Sequence, residues 1–415
     1  MKQVFISKGK ALVKEVPAPK VEPGTVLVGV DHSCISVGTE MSGLHTSSLP
    51  IWKRAVQQPE NVKKVFRLVS EQGIGKTRKL VEGRLSAELP TGYSAAGTVM
   101  EVGNGVSKFQ PGDRVACAGA QCAYHAEIIR VPLNLTLPIP EGLSFAEAST
   151  VTLGAIALQG VRRASPTLGE TFVVLGLGVL GQLTTQILAA NGCRVIGTDL
   201  YRTRIERALK LGMHVGLHPE DGNDLSQVSR LTDGYGADAV IITAANPSDE
   251  IISTAFNMCR KKGRVVLVGD VGLKLNREDF FAKEIDFFIS SSYGPGRYDQ
   301  RYEEKGLDYP LPFVRWTENR NMLEYLRMLK EKKVLVGPLL DSTYPLEQAT
   351  NAFDSLKSEK GNPLLVLLSY PGLLDRIPLR KVSNPKSEAL TSKKIRIALI
   401  GAGSFAQSTH LPNLR

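Results

Sequence analysis

Three closely spaced glycines constrain the fold of this chain more than any other sequence feature. They lie between two apolar runs in the stretch 171–199, TFVVLGLGVLGQLTTQILAANGCRVIGTD. Their spacing is G-x-G-x-x-G, and they are Gly176, Gly178 and Gly181. Short apolar runs are typical of buried parallel strands, and the residues between these two runs have a helical pattern. The stretch is therefore predicted to form a strand–turn–helix–strand unit that ends at Asp199.

Each of these glycines has a physical reason to be a glycine. Gly176 permits a tight turn, Gly178 lets the backbone approach a pyrophosphate, and Gly181 lets helix and strand pack closely. The helix N-terminus adds free N–H groups and a positive dipole end. The unit is therefore predicted to bind a dinucleotide, although glycines used only for packing are the alternative. The predicted phosphate-binding residues are Gly176, Leu177, Gly178, Val179, Leu180 and Gly181.

The acidic residue after the second strand favours one of two dinucleotides. Asp199 can accept hydrogen bonds from the ribose hydroxyls of adenosine, and it would repel a 2′-phosphate. The sequence therefore predicts NAD rather than NADP as the cofactor. Arg202 and Arg204 follow Asp199 closely and leave NADP open, so Arg204 is included among the cofactor-binding residues.

Composition excludes several classes of protein. The chain has 415 residues, of which 42% are apolar and 22% charged, as in an ordinary globular α/β protein. No apolar run reaches the roughly 18 residues that span a bilayer, so we expect no membrane contact. Five scattered cysteines favour a reducing cytoplasm over a disulfide framework. The net charge of +10 indicates anionic ligands, but no nucleic-acid recognition motif accompanies it.

The first 140 residues are dominated by short strand patterns, with one interruption. Within 53–88, apolar residues recur at helical spacing, and the segment contains nine basic and four acidic side chains. This predicted amphipathic helix is either a solvated face or a cap that attracts an anionic or phosphorylated sugar. The apolar positions are Val62, Val65, Phe66 and Val69.

Several motifs resemble the medium-chain dehydrogenase/reductase superfamily. They include PGDRV, PEGLSFAEAST and YPLEQATNAFDSL, and the resemblance covers roughly 1–368. It implies an α/β protein with a GroES-like, β-rich catalytic domain and a Rossmann domain built on a doubly wound parallel sheet. It further implies an NAD-dependent oxidoreductase that forms a homodimer or a higher homo-oligomer. The same resemblance assigns Thr243 and Gly269 to the nicotinamide side of the site.

The end of the chain resembles a second family. Its segment KIRIALIGAGSFAQSTHLPNLR has a G-x-G-x-x-A turn and is similar to the opening of a Gfo/Idh/MocA-type domain. The whole chain thus resembles bi-domain oxidoreductases of polysaccharide biosynthesis clusters. The predicted divisions are a catalytic domain, a Rossmann domain, a return to the catalytic domain, a basic linker and the start of a second Rossmann domain. Their bounds are 1–150, 151–335, 336–370, 371–393 and 394–415.

The resemblance fails at the positions where zinc-dependent members hold their metal. The expected Cys-Gly-Ser/Thr-Asp turn is Val37-Gly38-Thr39-Glu40 here, Tyr93 replaces the histidine ligand, and the third position is Thr152. A valine cannot bind zinc, and neutral hydroxyls are poor substitutes for thiolate or imidazole. The sequence therefore predicts no metal and a zinc-independent enzyme.

Without zinc, side chains must polarise the substrate oxygen or take its proton. Thr39 matches the family's proton-relay hydroxyl, Tyr93 occupies the place of the lost histidine, and Glu40 lies beside them. The alternatives are that Tyr93 only fills the vacated pocket and that Glu40 makes a supporting hydrogen bond. The segment 293–298 is expected to be either a substrate loop or a contact between subunits.

Three functions follow from these patterns. The first is hydride transfer between NAD and a hydroxyl or carbonyl carbon, on a sugar or nucleotide-sugar. The second is an NADPH-dependent, zinc-free reductase of quinones or activated double bonds. The third is a non-catalytic nucleotide-binding scaffold.

Overall fold

The computed structural model describes most of the chain, with defined gaps. The described residues are 1–7, 9–36, 38, 40, 88–357, 363–372, 399–401, 403 and 405–414. Several predictions therefore lie outside them in whole or in part: Val37, Thr39, the amphipathic helix within 53–88, most of the linker 371–393 and part of the segment 394–415.

The β-rich part of the chain is built on a seven-stranded sheet. Strand β3 lies at its centre and pairs antiparallel with β5, β7 and β18. The last two strands come from the far end of the chain, because β18 pairs with β3 and β17 pairs with β18. A smaller sheet holds β1, β2 and β4. The strands are β1 (Lys2–Ser7), β2 (Lys10–Glu15), β3 (Thr25–Ile35), β4 (Leu89–Pro90), β5 (Ser94–Val102), β6 (Arg114–Ala118), β7 (Ile128–Pro132), β8 (Thr136–Pro138), β17 (Leu340–Pro345) and β18 (Leu365–Ser369).

The second part is a six-stranded sheet in which every pair of neighbours is parallel. Its strand order is β11-β10-β9-β12-β14-β16, which is the 3-2-1-4-5-6 order of a Rossmann fold. The predicted α/β class, a GroES-like domain with a doubly wound parallel sheet, is therefore confirmed. The strands are β9 (Thr171–Leu175), β10 (Arg194–Thr198), β11 (Val215–Leu217), β12 (Ala237–Ile242), β14 (Cys259–Leu267) and β16 (Asp286–Ile289), with short β13 (Ala245–Asn246) and β15 (Asp270–Val271) beside them.

The apolar run that starts β9 is buried on both faces of this sheet. Phe172 and Val174 pack into one hydrophobic cluster, and Val173 packs into the other. A strand covered by helices on both faces needs a continuous apolar run rather than an alternating one. This burial explains why β9 could be recognised from its sequence.

Helices cover both faces of the parallel sheet and connect its strands. The helices of the described residues, including those that pack on the β-rich part, are α1 (Phe145–Ala148), α2 (Val151–Ala164), α3 (Val179–Ala190), α4 (Arg202–Lys210), α5 (Asp224–Leu231), α6 (Glu250–Met258), α7 (Arg277–Phe280), α8 (Gln300–Glu303), α9 (Glu318–Lys330), α10 (Ala349–Ser355) and α11 (Leu411–Asn413). None of those within the described ranges combines the length and apolar character that a bilayer crossing requires.

One predicted helix is shorter than its pattern indicated. The sequence predicts a helix over 250–261, but α6 ends at Met258 and Cys259 already pairs in register with Ala237 of β12. The chain leaves the helix because strand pairing buries Cys259, which is 1% exposed. Tertiary pairing here overrides the local helical pattern.

Candidate functional site

A cleft of about 620 Å³ opens at the carboxyl ends of β9, β10 and β12. Open parallel sheets bind their ligands there, where the strand order reverses. Seven of the ten predicted cofactor residues line the cleft: Gly176, Gly178, Val179, Leu180, Asp199, Arg204 and Thr243. Gly38, from the turn before Glu40, also lines it, so the cleft reaches the predicted catalytic turn.

The three glycines differ in what surrounds them. Gly176 has φ +92°, a left-handed conformation that glycine adopts without strain. A Cβ added to Gly181 would lie 2.0 Å from the Gly176 carbonyl oxygen, whereas a Cβ on Gly178 would meet nothing within 4 Å. Gly178 therefore leaves open space at the helix start, which is where a pyrophosphate approaches. The residues present fit a dinucleotide.

The other three predicted cofactor residues support the cleft from beneath. Leu177 is buried, and its N–H donates to Oδ2 of Asp199 over 2.6 Å. A Cβ on Gly269 would lie 2.0 Å from the carbonyl oxygen of Ala244, so Gly269 allows two strand ends to approach. Gly181 has the packing role described above.

The end of the cleft beyond β10 carries two carboxylates. Asp199 accepts hydrogen bonds from Leu177 N–H and from Tyr201 N–H, the latter over 2.9 Å. Asp224, in the first turn of α5, accepts a hydrogen bond from the Thr198 hydroxyl over 2.8 Å. Its second oxygen, Oδ1, is buried without a partner among the described residues. Sequence reasoning missed Asp224, because an acidic residue in a first helical turn usually indicates only a helix start.

Arg202 and Arg204, the two arginines that allow NADP as the alternative cofactor, both have carboxylate partners. Arg202 makes a bidentate contact with Asp221, at 2.9 and 2.7 Å. The Arg204 guanidinium lies 3.6 Å from Asp199 Oδ2 and 4.7 Å from the centre of the Tyr201 ring. Their charge is therefore balanced within the protein.

Two of the three positions that correspond to zinc ligands lie together. The Thr152 hydroxyl donates to the Tyr93 carbonyl oxygen over 3.0 Å, and Gly119 N–H donates to the same oxygen. Val37, which stands at the first of these positions, lies outside the described residues. Across the part of the chain that the structure describes, no group of three His, Cys, Asp or Glu side chains is arranged to hold a metal ion. This donor set does not fit zinc.

Glu40 is a buried anchor for the turn that precedes it. Its Oε2 accepts Ser36 N–H over 2.8 Å, and its Oε1 accepts the Thr91 hydroxyl over 2.6 Å and faces His125 Nε2 at 3.0 Å. Burial alone would raise the pKa of Glu40, but the charge of His125 and these hydrogen bonds outweigh it and lower that pKa. Glu40 is therefore held as a carboxylate, with both oxygens engaged by protein groups.

The contacts of Glu40 continue into a buried chain of polar groups. His125 Nδ1 lies 2.7 Å from the Ser33 hydroxyl, which lies 2.7 Å from the Tyr370 hydroxyl. His125 and Ser33 are 0% exposed. The order Ser–His–Glu resembles a nucleophilic triad, but the Ser33 hydroxyl already bonds to both His125 and Tyr370, and both Glu40 oxygens bond to protein groups, so the chain is structural.

The predicted substrate loop, 293–298, lies entirely within the described residues. Tyr293 is 2% exposed, and the guanidinium of Arg297 lies 4.1 Å from the centre of the Tyr298 ring. Arg297 also forms an ion pair with Glu303 at 2.5 Å. Tyr298, in contrast to Tyr293, is 71% exposed.

Comparisons with known proteins agree with this architecture. The Alcohol dehydrogenase GroES-like domain matches residues 71–151, and the Zinc-binding dehydrogenase model matches 179–305. A quinone oxidoreductase of Rattus norvegicus is 28% identical over 287 residues, which are 67% of this chain and 79% of the relative. An NAD-dependent alcohol dehydrogenase of Sulfurisphaera tokodaii is 28% identical over 331 residues, or 71% and 87% of the two chains.

A solved structure shares the fold. Galactitol-1-phosphate dehydrogenase from Escherichia coli superposes with a TM-score of 0.69 at 17% identity, and the match covers 89% of this chain and 100% of that one. The matches to family models and to dehydrogenases favour an enzyme over a nucleotide-binding scaffold. The chain is therefore an enzyme, an NAD(P)-dependent oxidoreductase that is similar to medium-chain dehydrogenase/reductases.

Proposed function

We propose that this enzyme transfers hydride between NAD and a hydroxyl or carbonyl carbon of a sugar or nucleotide-sugar, without zinc. The observation that carries the choice of NAD is the pair of carboxylates, Asp199 and Asp224, at the end of the cleft beyond β10. An added 2′-phosphate would approach both, and like charges at short range are unfavourable. The alcohol dehydrogenase relative from Sulfurisphaera tokodaii is also named as NAD-dependent.

Equilibrium binding tests the cofactor. We expect NADH to quench protein fluorescence with a dissociation constant at least about ten-fold lower than that of NADPH. A preference for NADPH would favour the second function, reduction of quinones or activated double bonds. The rat quinone oxidoreductase relative and the position of Arg204 beside the cleft keep that function in consideration.

The proposed chemistry divides the work among a few groups. When bound, NAD supplies a nicotinamide ring that exchanges hydride with the substrate carbon. The Tyr93 and Thr39 hydroxyls hold the substrate oxygen and pass its proton. Glu40 acts indirectly, because its contact with Ser36 N–H supports the turn that carries Gly38 and Thr39.

The absence of zinc is proposed from the donor groups. The matched segment 179–305 of the Zinc-binding dehydrogenase model includes none of the corresponding ligand positions, so its name does not decide the question. Metal analysis of purified enzyme should find far less than one zinc per chain, and a chelator should leave NADH binding and turnover unchanged. One bound zinc per chain, lost together with activity, would contradict the proposal.

Substitution of Tyr93 separates catalysis from packing. In turnover with NAD and a panel of sugars, sugar phosphates and nucleotide-sugars, Tyr93→Phe should lose about 10²- to 10⁴-fold in kcat while NADH binding stays unchanged. A Tyr93→Phe enzyme with the wild-type rate would show that the ring only fills space.

The remaining parts of the proposal concern the domains of the chain, its oligomeric state and its location in the cell. We propose domains at 1–150, 151–335 and 336–370, a linker at 371–393, and a Gfo/Idh/MocA-type unit that begins at 394. We further propose a cytoplasmic homodimer or higher homo-oligomer whose basic segment 53–88 attracts an anionic sugar. Limited proteolysis should cut first within 371–393 and leave a fragment that binds NADH, whereas cuts inside 1–370 would contradict these bounds.

A further inference from the structure

A second set of polar side chains is buried away from the dinucleotide cleft, where the loop after β16 meets the start of α9. Glu318 is 0% exposed, Tyr293 is 2% exposed and Glu303 is 8% exposed. Arg297 lies between them, with its guanidinium 5.4 Å from the centre of the Tyr293 ring and 2.5 Å from Glu303. We call these four residues the polar cluster.

Four buried atoms of the polar cluster have no hydrogen-bond partner among the described residues. They are both carboxyl oxygens of Glu318, the hydroxyl of Tyr293 and Nε of Arg297. A buried polar atom without a partner destabilises the folded state, and native proteins contain few of them. Four such atoms on interacting side chains indicate a site for a ligand that is itself polar.

The backbone of the loop is unusual in the same place. Four residues have positive φ angles: Ser292 (50°), Gly294 (116°), Gly296 (109°) and Tyr298 (69°). For Ser292 and Tyr298 this conformation is unfavourable, and such residues cluster at functional sites. Tyr293 and Arg297 each lie between two of these residues.

The polar cluster borders the predicted catalytic region. Burial raises the pKa of the Cys122 thiol in the β-rich part, and the charges of Glu303, Arg297 and Glu318 also act on that pKa. Cys122 N–H donates to the Gly119 carbonyl oxygen over 3.1 Å, and Gly119 N–H donates to the Tyr93 carbonyl oxygen over 3.0 Å. One short turn therefore separates the polar cluster from the backbone of Tyr93.

The charges of the polar cluster restrict which ligand it can take. Arg297 and Glu303 neutralise each other, so Glu318 remains the group without a counter-charge. Burial and the charge of Glu303 raise the pKa of Glu318 to about 9, so at neutral pH it is a carboxylic acid that can donate and accept. An anion would face Glu303, and a cation would face Arg297. A neutral hydroxyl can satisfy unpartnered donors and acceptors at once.

We propose that the polar cluster binds uncharged hydroxyl groups of a polyol or sugar, at the end of the substrate distant from the reacting carbon. This inference rests on the proposed function, because it places the substrate between the polar cluster and the nicotinamide. Tyr293 and Arg297 donate to the ligand, and Glu318 both donates and accepts. An anionic group of the same substrate lies elsewhere.

Two substitutions of Glu318 test whether it acts as a neutral group. With NADH-loaded enzyme and C4 to C6 polyols titrated by calorimetry, Glu318→Gln should retain binding within about three-fold, because an amide keeps a donor and an acceptor. Glu318→Leu and Tyr293→Phe should each weaken binding by about ten-fold, because each removes hydrogen bonds. Equal losses in Glu318→Gln and Glu318→Leu would overturn the neutral role.

The controls separate this inference from the proposed function. Glu324→Gln changes another carboxylate of α9, one paired with Arg327 on the outer side, and should bind polyols as the wild type does. The dissociation constant of NADH should be the same in all variants, and failure to bind NADH would instead contradict the proposed function. If NADH-loaded wild type binds sugar phosphates but no neutral polyol, or if Glu318→Leu binds polyols normally, the polar cluster is not a hydroxyl site.

Discussion

His125 Nε2 lies 3.0 Å from Oε1 of Glu40, and this buried contact joins residues 85 positions apart in the chain. The same carboxylate holds the backbone of Ser36, while Gly38, between Ser36 and Glu40, lines the dinucleotide cleft. The turn that contains Gly38 and borders the cleft is therefore supported by the Glu40 carboxylate, which in turn contacts His125 of the β-rich part. Its stability should depend on the charge of Glu40.

Neutralising Glu40 should destabilise the protein. The two oxygens of Glu40 accept from Ser36 and Thr91 and face His125, whereas a glutamine would direct an NH₂ group at one of these partners. Glu40→Gln should lower the free energy of unfolding by about 2–4 kcal/mol at pH 7, measured by urea denaturation. Glu347→Gln, which neutralises an exposed partner of Lys2, should cost less than about 1 kcal/mol.

The same pair of proteins should show a defined pH dependence. The folded-state pKa of Glu40 is lowered, so its contribution is present above the unfolded pKa of about 4.5 and is lost as the pH falls through the folded value. The difference between wild type and Glu40→Gln should therefore shrink below about pH 4.5. A difference that stays constant down to pH 3 would show that the carboxylate charge contributes nothing.

Alanine substitutions at two glycines of the turn should affect different properties, NADH binding at Gly178 and stability at Gly181. A Cβ on Gly178 meets open space at the cleft, so Gly178→Ala should unfold at the wild-type temperature but bind NADH at least about ten-fold more weakly. A Cβ on Gly181 would lie 2.0 Å from the Gly176 carbonyl oxygen, so Gly181→Ala should lose about 1–3 kcal/mol of stability. Thermal unfolding and NADH titration of both variants measure the contrast. Tight NADH binding by Gly178→Ala would show that no phosphate approaches that backbone.

The cofactor preference should move when the carboxylates of the cleft are neutralised. Asp199→Asn keeps a side-chain acceptor but removes the charge that opposes a 2′-phosphate, so the ratio of NADPH to NADH affinity should rise about ten-fold. Asp224→Asn should shift the ratio in the same direction, because its Oδ1 has no partner among the described residues. Asp221→Asn, an exposed carboxylate engaged by Arg202, is the matched control and should leave the ratio unchanged. An unchanged ratio in Asp199→Asn would remove the basis for predicting NAD.

The sequence alone predicted those features of the fold and of the site whose physical cause lies within one short segment. The glycine turn, the continuous apolar run of β9 and Asp199 all belong to one local unit. The pattern over 318–330 predicts a helix, and α9 begins at Glu318 and ends at Lys330, with the side chain of Thr317 capping its start. Such features follow from residues close in sequence.

The rest could not be predicted because its partners are distant in sequence. The hydroxyl of Ser33 meets His125 and Tyr370 across 92 and 337 positions. Nothing near Glu318 in the sequence indicates that its carboxyl group is fully buried, since a glutamate in a first helical turn is usually solvated. The protonation state of that group depends on Glu303 and Arg297, which the fold brings to it.

The raised pKa of Glu318 should make the protein lose stability as the pH rises from about 4.5 to about 9. Its folded-state pKa is raised to about 9, so between about pH 4.5 and 9 the unfolded chain releases a proton that the folded one keeps, and stability falls as the pH rises. The titratable groups that face it are Glu303, Arg297, Tyr293, Cys122, Tyr302 and Tyr309. Glu318→Gln cannot ionise, so it should match the wild type near pH 4.5 and exceed it by at least about 1 kcal/mol at pH 8. Urea denaturation of both proteins across this range measures the gap, and parallel curves would mean that Glu318 is already ionised in the folded state.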